Sequence, residues 1–242
     1  LKNYKLIIQY DGTNYSGWQI QKNAISIQQR VTDAINSLLK IEISLIGSGR
    51  TDSGVHAIGQ VANFRSENEI DIYRFKYSLN CILPDDISII NMEETHEDFH
   101  ARFDAQKRAY IYLINQTKSP FYKNYSYFYP IKINLETLNQ LSRMFIGEKD
   151  FTSFSKKNDE IENKNCNIFE MRWSRRGSII MFYIKANRYL HGMVRAITGT
   201  LLKVQELENG EKLLMDIFNS QDRQMAYDAV PSKGLFLYKV EY

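Results

Sequence analysis

Cysteine, histidine and unbroken apolar sequence are all scarce in this chain of 242 residues. Cys81 and Cys166 stand far apart with no CxxC neighbour, so no disulfide framework is suggested. Of the four histidines only His96 and His100 stand at HExxH spacing, as His96-Glu97-Asp98-Phe99-His100; with no CxxC and no further ligand pattern beside it, no metal site is expected. The longest apolar runs, such as Ile179 to Ile184, fall far short of the ~20 residues a membrane-spanning helix needs. No basic-then-apolar leader precedes Tyr4, and a cytoplasmic protein without a membrane partner is expected. A strong charge of one sign is lacking too: a net charge of +3 and a pI near 8.6 point only weakly to nucleic acid.

What is present is enough apolar sequence, 43% of residues, to build a sizeable core as one large domain or two small ones. The first half reads as strand, helix, strand, strand, helix, strand. Lys5 to Tyr10 is a strand ended by the turn pair Asp11-Gly12. From Ser26, a plausible N-cap, Ile27, Val31, Ala34, Ile35, Leu38 and Leu39 recur at helical spacing. Ile43 to Gly47 and Gly59 to Phe64 read as strands around a polar turn. Tyr73, Tyr77, Leu79 and Ile82 suggest a helix stopped near Pro84, followed by a strand from Ile87 to Asn91.

The second half repeats this order loosely, with a strand at Tyr110 to Ile114 and a helix at Leu135 to Ile146. Two strands, Ile168 to Trp173 and Ile179 to Ala186, pair as a hairpin around Arg176-Gly177. A helical segment carries Leu190, Val194, Ile197, Leu201 and Leu202, and Leu235 to Val240 closes the chain as a strand. The order favours α+β over an alternating parallel sheet. The polar stretch from Asp159 to Asn167 reads as an exposed loop. Lys156, Lys157, Lys164, Arg172, Arg175 and Arg176 concentrate positive charge in the second half, either as a solvated surface or as a patch that tracks phosphates.

The most unusual segment is Gly47-Ser48-Gly49-Arg50-Thr51-Asp52-Ser53-Gly54-Val55-His56-Ala57. Its three glycines allow sharp bends and close approach of another backbone, so the loop is suited to presenting side chains. It lacks the Gly-Lys-Ser/Thr ending of a phosphate-binding P-loop. Standing alone, Asp52 would be read as a turn residue and Arg50 as a solvated charge.

From Gly49 to Ala57 the segment resembles, without a gap, the GRTDxGVHA signature of pseudouridine synthases of the TruA family. Other stretches similar to that family follow in order. They are Tyr10 to Gln19, Asn80 to Ile87 with Leu-Pro-x-Asp-Ile, Phe99 to Phe103, Arg108 to Tyr112, Asp150 to Phe154, Ala186 to Arg195 and Gly234 to Leu237. The resemblance thus spans nearly the whole chain. Two departures stand out: Asn163 to Asn167 replaces an arginine-containing stretch, and Gly192 stands where a bulkier polar residue is common.

The resemblance implies two ferredoxin-like (RRM-like) halves, residues 1–103 and 104–242, with adjoining antiparallel sheets and a basic central cleft. It also implies a homodimer that grips one tRNA and converts uridines 38 to 40 of the anticodon stem-loop to pseudouridine. That reaction breaks the N1 glycosidic bond and joins C5 to the same ribose carbon, so no cofactor is needed. A carboxylate suits it, by attack on sugar or base or by removing a ribose proton. The resemblance puts Asp52 in that role. It makes Tyr110 the aromatic beside the flipped base, although period two along its strand would otherwise mark Tyr110 and Tyr112 as packing residues. Arg195 becomes the partner that keeps Asp52 ionised and aimed. Arg50 becomes a phosphate contact, and Leu235 an apolar wall. His56 and His191 read as structural or RNA-contacting. Two rivals carry less weight. A non-catalytic RNA-binding protein on RRM-like sheets would need an RNP-type strand, and a small-molecule phosphate-binding enzyme would need a nucleotide fingerprint; the chain has neither.

Overall fold

The computed structural model describes residues 1–156 and 162–242. The chain runs β1 (Lys2–Tyr10), α1 (Ile27–Leu39), β2 (Ile46–Gly47), β3 (His56–Ser66), α2 (Ile72–Ile82), β4 (Ile87–Thr95), β5 (Lys107–Asn115), β6 (Tyr127–Phe128) and α3 (Leu135–Ser142). It continues with β7 (Gly147–Asp150), β8 (Asn165–Arg176), β9 (Ile179–Ala186), α4 (Met193–Val204), α5 (Gly210–Ser220) and β10 (Leu235–Glu241). This is a mixed α+β chain whose strands pair mostly antiparallel. It divides into two compact units, Leu1–Gln106 with Phe236–Tyr242, and Lys107–Leu235. None of the described helices is long and apolar enough to cross a membrane.

In the first unit β1 lies between β4 and β3, antiparallel to both. Alternation along β1 buries Tyr4, Leu6, Ile8 and Tyr10 on one face, as period two requires. The far edge of β3 takes β2 antiparallel at Asn63–Ala62 and β10 parallel at His56–Ala57. Helix α1 starts where the sequence predicts: Ser26 Oγ accepts the Gln29 amide at 3.3 Å, and Ile27, Val31, Ala34 and Ile35 are buried. Helix α2 presents a different face from the one expected. Tyr73 and Tyr77 are 79% and 68% exposed and Ile82 is exposed, while Leu79 is buried. The packed stripe is Ile72, Phe75 and Leu79, with the Phe75 ring 6.4 Å from that of Phe64 on β3. A helix carrying apolar residues on two faces can satisfy only one of them against a single sheet.

In the second unit the strand order is β5, β9, β8, β7, all antiparallel, with β6 lying parallel to the end of β5. The expected hairpin is present: Arg176 pairs with Ile179, and Gly177 takes φ +57° in the turn. Trp173 stacks on Phe182 at 4.5 Å and donates its indole N–H to Ser142 Oγ at 3.0 Å. Helix α4 is nearly all buried on the inner side, with Ala196, Ile197, Leu201, Leu202 and Val204 in the core.

Three expectations are corrected here. Helix α4 begins at Met193, so Leu190, expected on its apolar stripe, precedes it. Gly192 at the cap has φ +73°, a left-handed conformation that suits glycine and ends any helical continuation toward residue 190. Of the polar stretch 159–167, residues 159–161 lie outside the described residues, while Asn165–Asn167 open β8 and pair with β7. The basic residues do not form one patch either. Lys157 is outside the described residues, and β8 separates Lys164 from Arg175 and Arg176 by roughly 35–40 Å at ~3.3 Å per residue.

Candidate active site

The glycine-rich loop joins β2 to β3, and a second loop, Asp11 to Ser26, folds directly onto it. The contact is backbone to backbone. Trp18 N–H donates to the Thr51 carbonyl at 3.1 Å and Gly54 N–H to the Tyr15 carbonyl at 3.3 Å. Glycines on both segments make this possible. A β-carbon at Gly12 would stand 2.0 Å from the Val55 carbonyl oxygen, and one at Gly17, where φ is +90°, would stand 2.3 Å from the Thr51 carbonyl oxygen. A β-carbon at Gly47 would strike the Trp18 indole nitrogen at 2.4 Å.

Side chains complete the frame. The buried Tyr10 and Thr51 hydroxyls are hydrogen-bonded at 2.8 Å. Gln60, fully buried on β3, accepts from Ser48 Oγ at 2.7 Å and donates to the Gly49 carbonyl at 2.9 Å. Buried His56 stacks on Phe236 at 4.6 Å, and its Nδ1 lies 3.1 Å from Gly12 N and 3.0 Å from Asp11 Oδ1. His56 is thus structural. Within this frame Asp52 is half-buried, and its carbonyl accepts the Val55 amide at 3.1 Å in a tight turn. Arg50 is exposed, with Nε donating to Gln19 Oε1 at 3.2 Å. The loop is therefore a rigid mount for one carboxylate with a solvent-facing guanidinium two residues away.

The second unit carries Tyr110, Arg195 and Leu235. Tyr110 lies on β5 opposite Ile184, nearly buried, with the Tyr189 ring set edge-on at 5.0 Å. The Tyr189 hydroxyl donates to the Arg108 and Ile184 carbonyls at 3.1 and 3.0 Å, and burial pushes its pKa well above the ordinary tyrosine range. Tyr189 thus clamps β5 to β9 and fixes the Tyr110 ring. Tyr112 shares that face but is fully buried, its hydroxyl donating to the Pro231 carbonyl at 2.8 Å. Arg195 sits in the first turn of α4. Its Nε donates to the Val230 carbonyl at 2.8 Å and its own carbonyl accepts the Val230 amide at 3.2 Å, which holds the plane of the guanidinium. Leu235 is buried and follows the turn at Gly234, where a β-carbon would stand 2.7 Å from the Tyr112 ring. Within this unit, Tyr112 and Arg195 are each tied to the segment Val230 to Leu235.

Sequence reasoning did not single out Thr51, Gln60 or Tyr189. The signal for Gln60 was a polar residue inside an apolar strand, which needs partners when buried.

A family model of tRNA pseudouridine synthases matches residues 6–104 and 141–242. Full-length relatives agree. A tRNA pseudouridine synthase A of Brachyspira hyodysenteriae is 40% identical over 240 residues, covering 98% of this chain and 96% of the relative. The tRNA pseudouridine synthase A 2 of Clostridium perfringens is 39% identical over 244 residues, covering all of both chains. One from Bacteroides thetaiotaomicron is 38% identical, covering all of this chain and 91% of the relative. This chain belongs to the tRNA pseudouridine synthase family. It is an isomerase that converts uridine in tRNA to pseudouridine. Both halves of the synthase that carry Arg50, Asp52, Arg195 and Leu235 lie inside the matched segments, and Tyr110 lies in the stretch between them.

Proposed function

We propose that the synthase acts on uridines 38 to 40 of the tRNA anticodon stem-loop, with Asp52 as the carboxylate that drives the exchange. The observation that carries this reading is the braced loop. One half-buried carboxylate is held by backbone contacts between Tyr15 to Trp18 and Thr51 to Val55, and glycines exist where those contacts demand them.

The isomerisation breaks the N1–C1′ bond, forms the C5–C1′ bond and moves one proton from C5 to N1. It has no net redox change and no external group donor. A base must leave its stack to reach Asp52, and Tyr110, locked by Tyr189, is the aromatic surface it meets. Leu235 forms an apolar wall. In this reading Arg195 has the role of the cation that keeps the Asp52 carboxylate ionised, and exposed Arg50 takes a phosphate beside the flipped nucleotide. The order β4, β1, β3, β2 and the strand, helix, strand, strand, helix, strand sequence of the first unit support a ferredoxin-like half, and β5, α3, β8, β9 and α4 of the second unit follow the same sequence once the short strands β6 and β7 are set aside. The functional molecule is a homodimer that grips one tRNA.

The test is direct. Purified protein is incubated with unmodified tRNA transcripts bearing uridine at 38, 39 or 40, and pseudouridine is mapped by carbodiimide labelling and primer extension. Stops at those positions are expected. Modification confined to other positions would overturn the assignment.

A further inference from the structure

A surface beyond the far end of β5 from Tyr110 has a composition that the chemistry does not explain. The chain has 28 acidic residues, yet none lies between Asp104 and Glu136. Within that interval, Thr117 to Asn134 contains six aromatic residues and three lysines. Phe121, Tyr122 and Phe128 are 84%, 47% and 42% exposed, and Lys118 and Lys123 are exposed between and beside them.

The segment is held in place. The Tyr122 carbonyl accepts from Tyr125 N, Ser126 N and Ser126 Oγ at 3.1, 3.0 and 2.9 Å, closing a tight turn. Tyr129 is buried, with its amide on the Asn115 carbonyl at 3.0 Å and its hydroxyl on Glu206 at 2.6 Å. The rings therefore face solvent from an ordered turn at the end of β5. The tip of the β8–β9 hairpin lies at the same end, where Arg175 donates to Gln116 Oε1 at 2.6 Å. From Tyr110 to Asn115 is five strand residues, ~17 Å at ~3.3 Å each.

We propose that this turn is a second RNA-binding surface of the synthase, on which unpaired bases of the bound tRNA stack while Lys118, Lys123 and Arg175 take the adjacent phosphates. The inference rests on the tRNA substrate of the proposed function. Base faces stack on aromatics without sequence preference, and interleaved cations in a segment that itself carries no acid match a phosphate backbone, the neighbouring Glu206 being engaged by the Tyr129 hydroxyl. A second copy of the chain is the poorer occupant. A two-fold contact would lay this cationic patch on itself and bring like charges together.

The experiment compares wild type with Phe121→Ala/Phe128→Ala and with Lys118→Gln/Lys123→Gln, using a full-length tRNA transcript. The aromatic double variant should raise Kd at least about fivefold for each ring that carries a base, with the single-turnover rate at saturating enzyme unchanged. The lysine variant should lower the slope of log affinity against log salt by roughly one to two, as phosphate contacts are lost. Phe121→Tyr should bind like wild type. Sedimentation checks that all variants keep the wild-type mass. Unchanged Kd and slope would overturn the proposal. A variant whose mass falls together with its binding would also overturn it, since a second copy would then cover the face. Failure of the proposed function reads out separately, as wild-type protein that modifies no uridine at 38 to 40.

Discussion

Replacing Gly12 with alanine tests whether the first loop sets the position of the loop that carries Asp52. Its added β-carbon would stand 2.0 Å from the Val55 carbonyl oxygen, where real contacts are not found below 3.0 Å. The two backbones must therefore part by about 1 Å, and because Val55 N–H is bonded to the Asp52 carbonyl at 3.1 Å, the shift passes to Asp52. A misplacement of about 1 Å costs on the order of 10²-fold in rate when a reacting group must be aligned. Crowding of this kind costs about 1–3 kcal/mol of stability. At about 2–4 °C per kcal/mol for a chain of this size, Tm falls by roughly 2–12 °C, leaving a folded protein to assay. Tritium release from tRNA labelled at uracil C5, measured in a single turnover at saturating enzyme, reports the rate, and filter binding reports Kd. The expected result is a rate loss near 10²-fold with little change in Kd. A Gly12→Ala protein that turns over like wild type would show that the loop contact does not position the carboxylate.

Arg195→Lys loses both the Nε bond to Val230 and the planar fork while keeping the charge, so the single-turnover rate should drop with little change in tRNA affinity. If Arg195→Lys matches wild type in rate and Arg195→Ala chiefly weakens binding, Arg195 is a phosphate contact instead. Stability should fall on the alkaline side. Burial pushes the Cys166 thiol up to about 11 and the Tyr112 and Tyr189 hydroxyls above their ordinary range. In the unfolded chain these groups ionise near ~8.5 and ~10. The folded protein keeps protons that the unfolded chain gives up, so stability is full below about pH 8.5 and declines as pH rises toward 11. Tm measured from pH 8 to 11 should drop, and Cys166→Ala should delay the onset; a flat profile would contradict the burial of these groups.

Local features were the ones the sequence made legible. The cap at Ser26, the apolar stripe of α1 and the turn at Gly177 each depend on neighbours within a few positions, and each is present. Features set by distant segments were not. Nothing periodic connects Tyr10 to Thr51, 41 residues apart, or shows that β10 returns to pair with β3 through Phe236 and His56. Helix α2 carries apolar and aromatic residues on two faces, so only the sheet beside it decides that Leu79 is buried and Tyr77 is not. The start of β8 was hidden because Asn165 to Asn167 looks like loop, yet β7 and the Asn187 side chain, which accepts the Asn167 amide at 2.9 Å, hold it extended. The site itself was legible only through its family resemblance. By composition Asp52 is an ordinary turn aspartate.

The central claim is that the Asp52 carboxylate, and nothing else in the loop, drives the isomerisation. Asp52→Asn tests it most directly, since the substitution keeps the shape of a half-buried side chain in a loop framed by Tyr10, Trp18 and Gln60. The measurement is pseudouridine formation by the purified variant on a tRNA transcript, beside its Kd for the same RNA. Binding at wild-type affinity with no pseudouridine above an enzyme-free control is the predicted result. Turnover by Asp52→Asn clearly above that control would contradict the account and remove Asp52 as the essential catalyst.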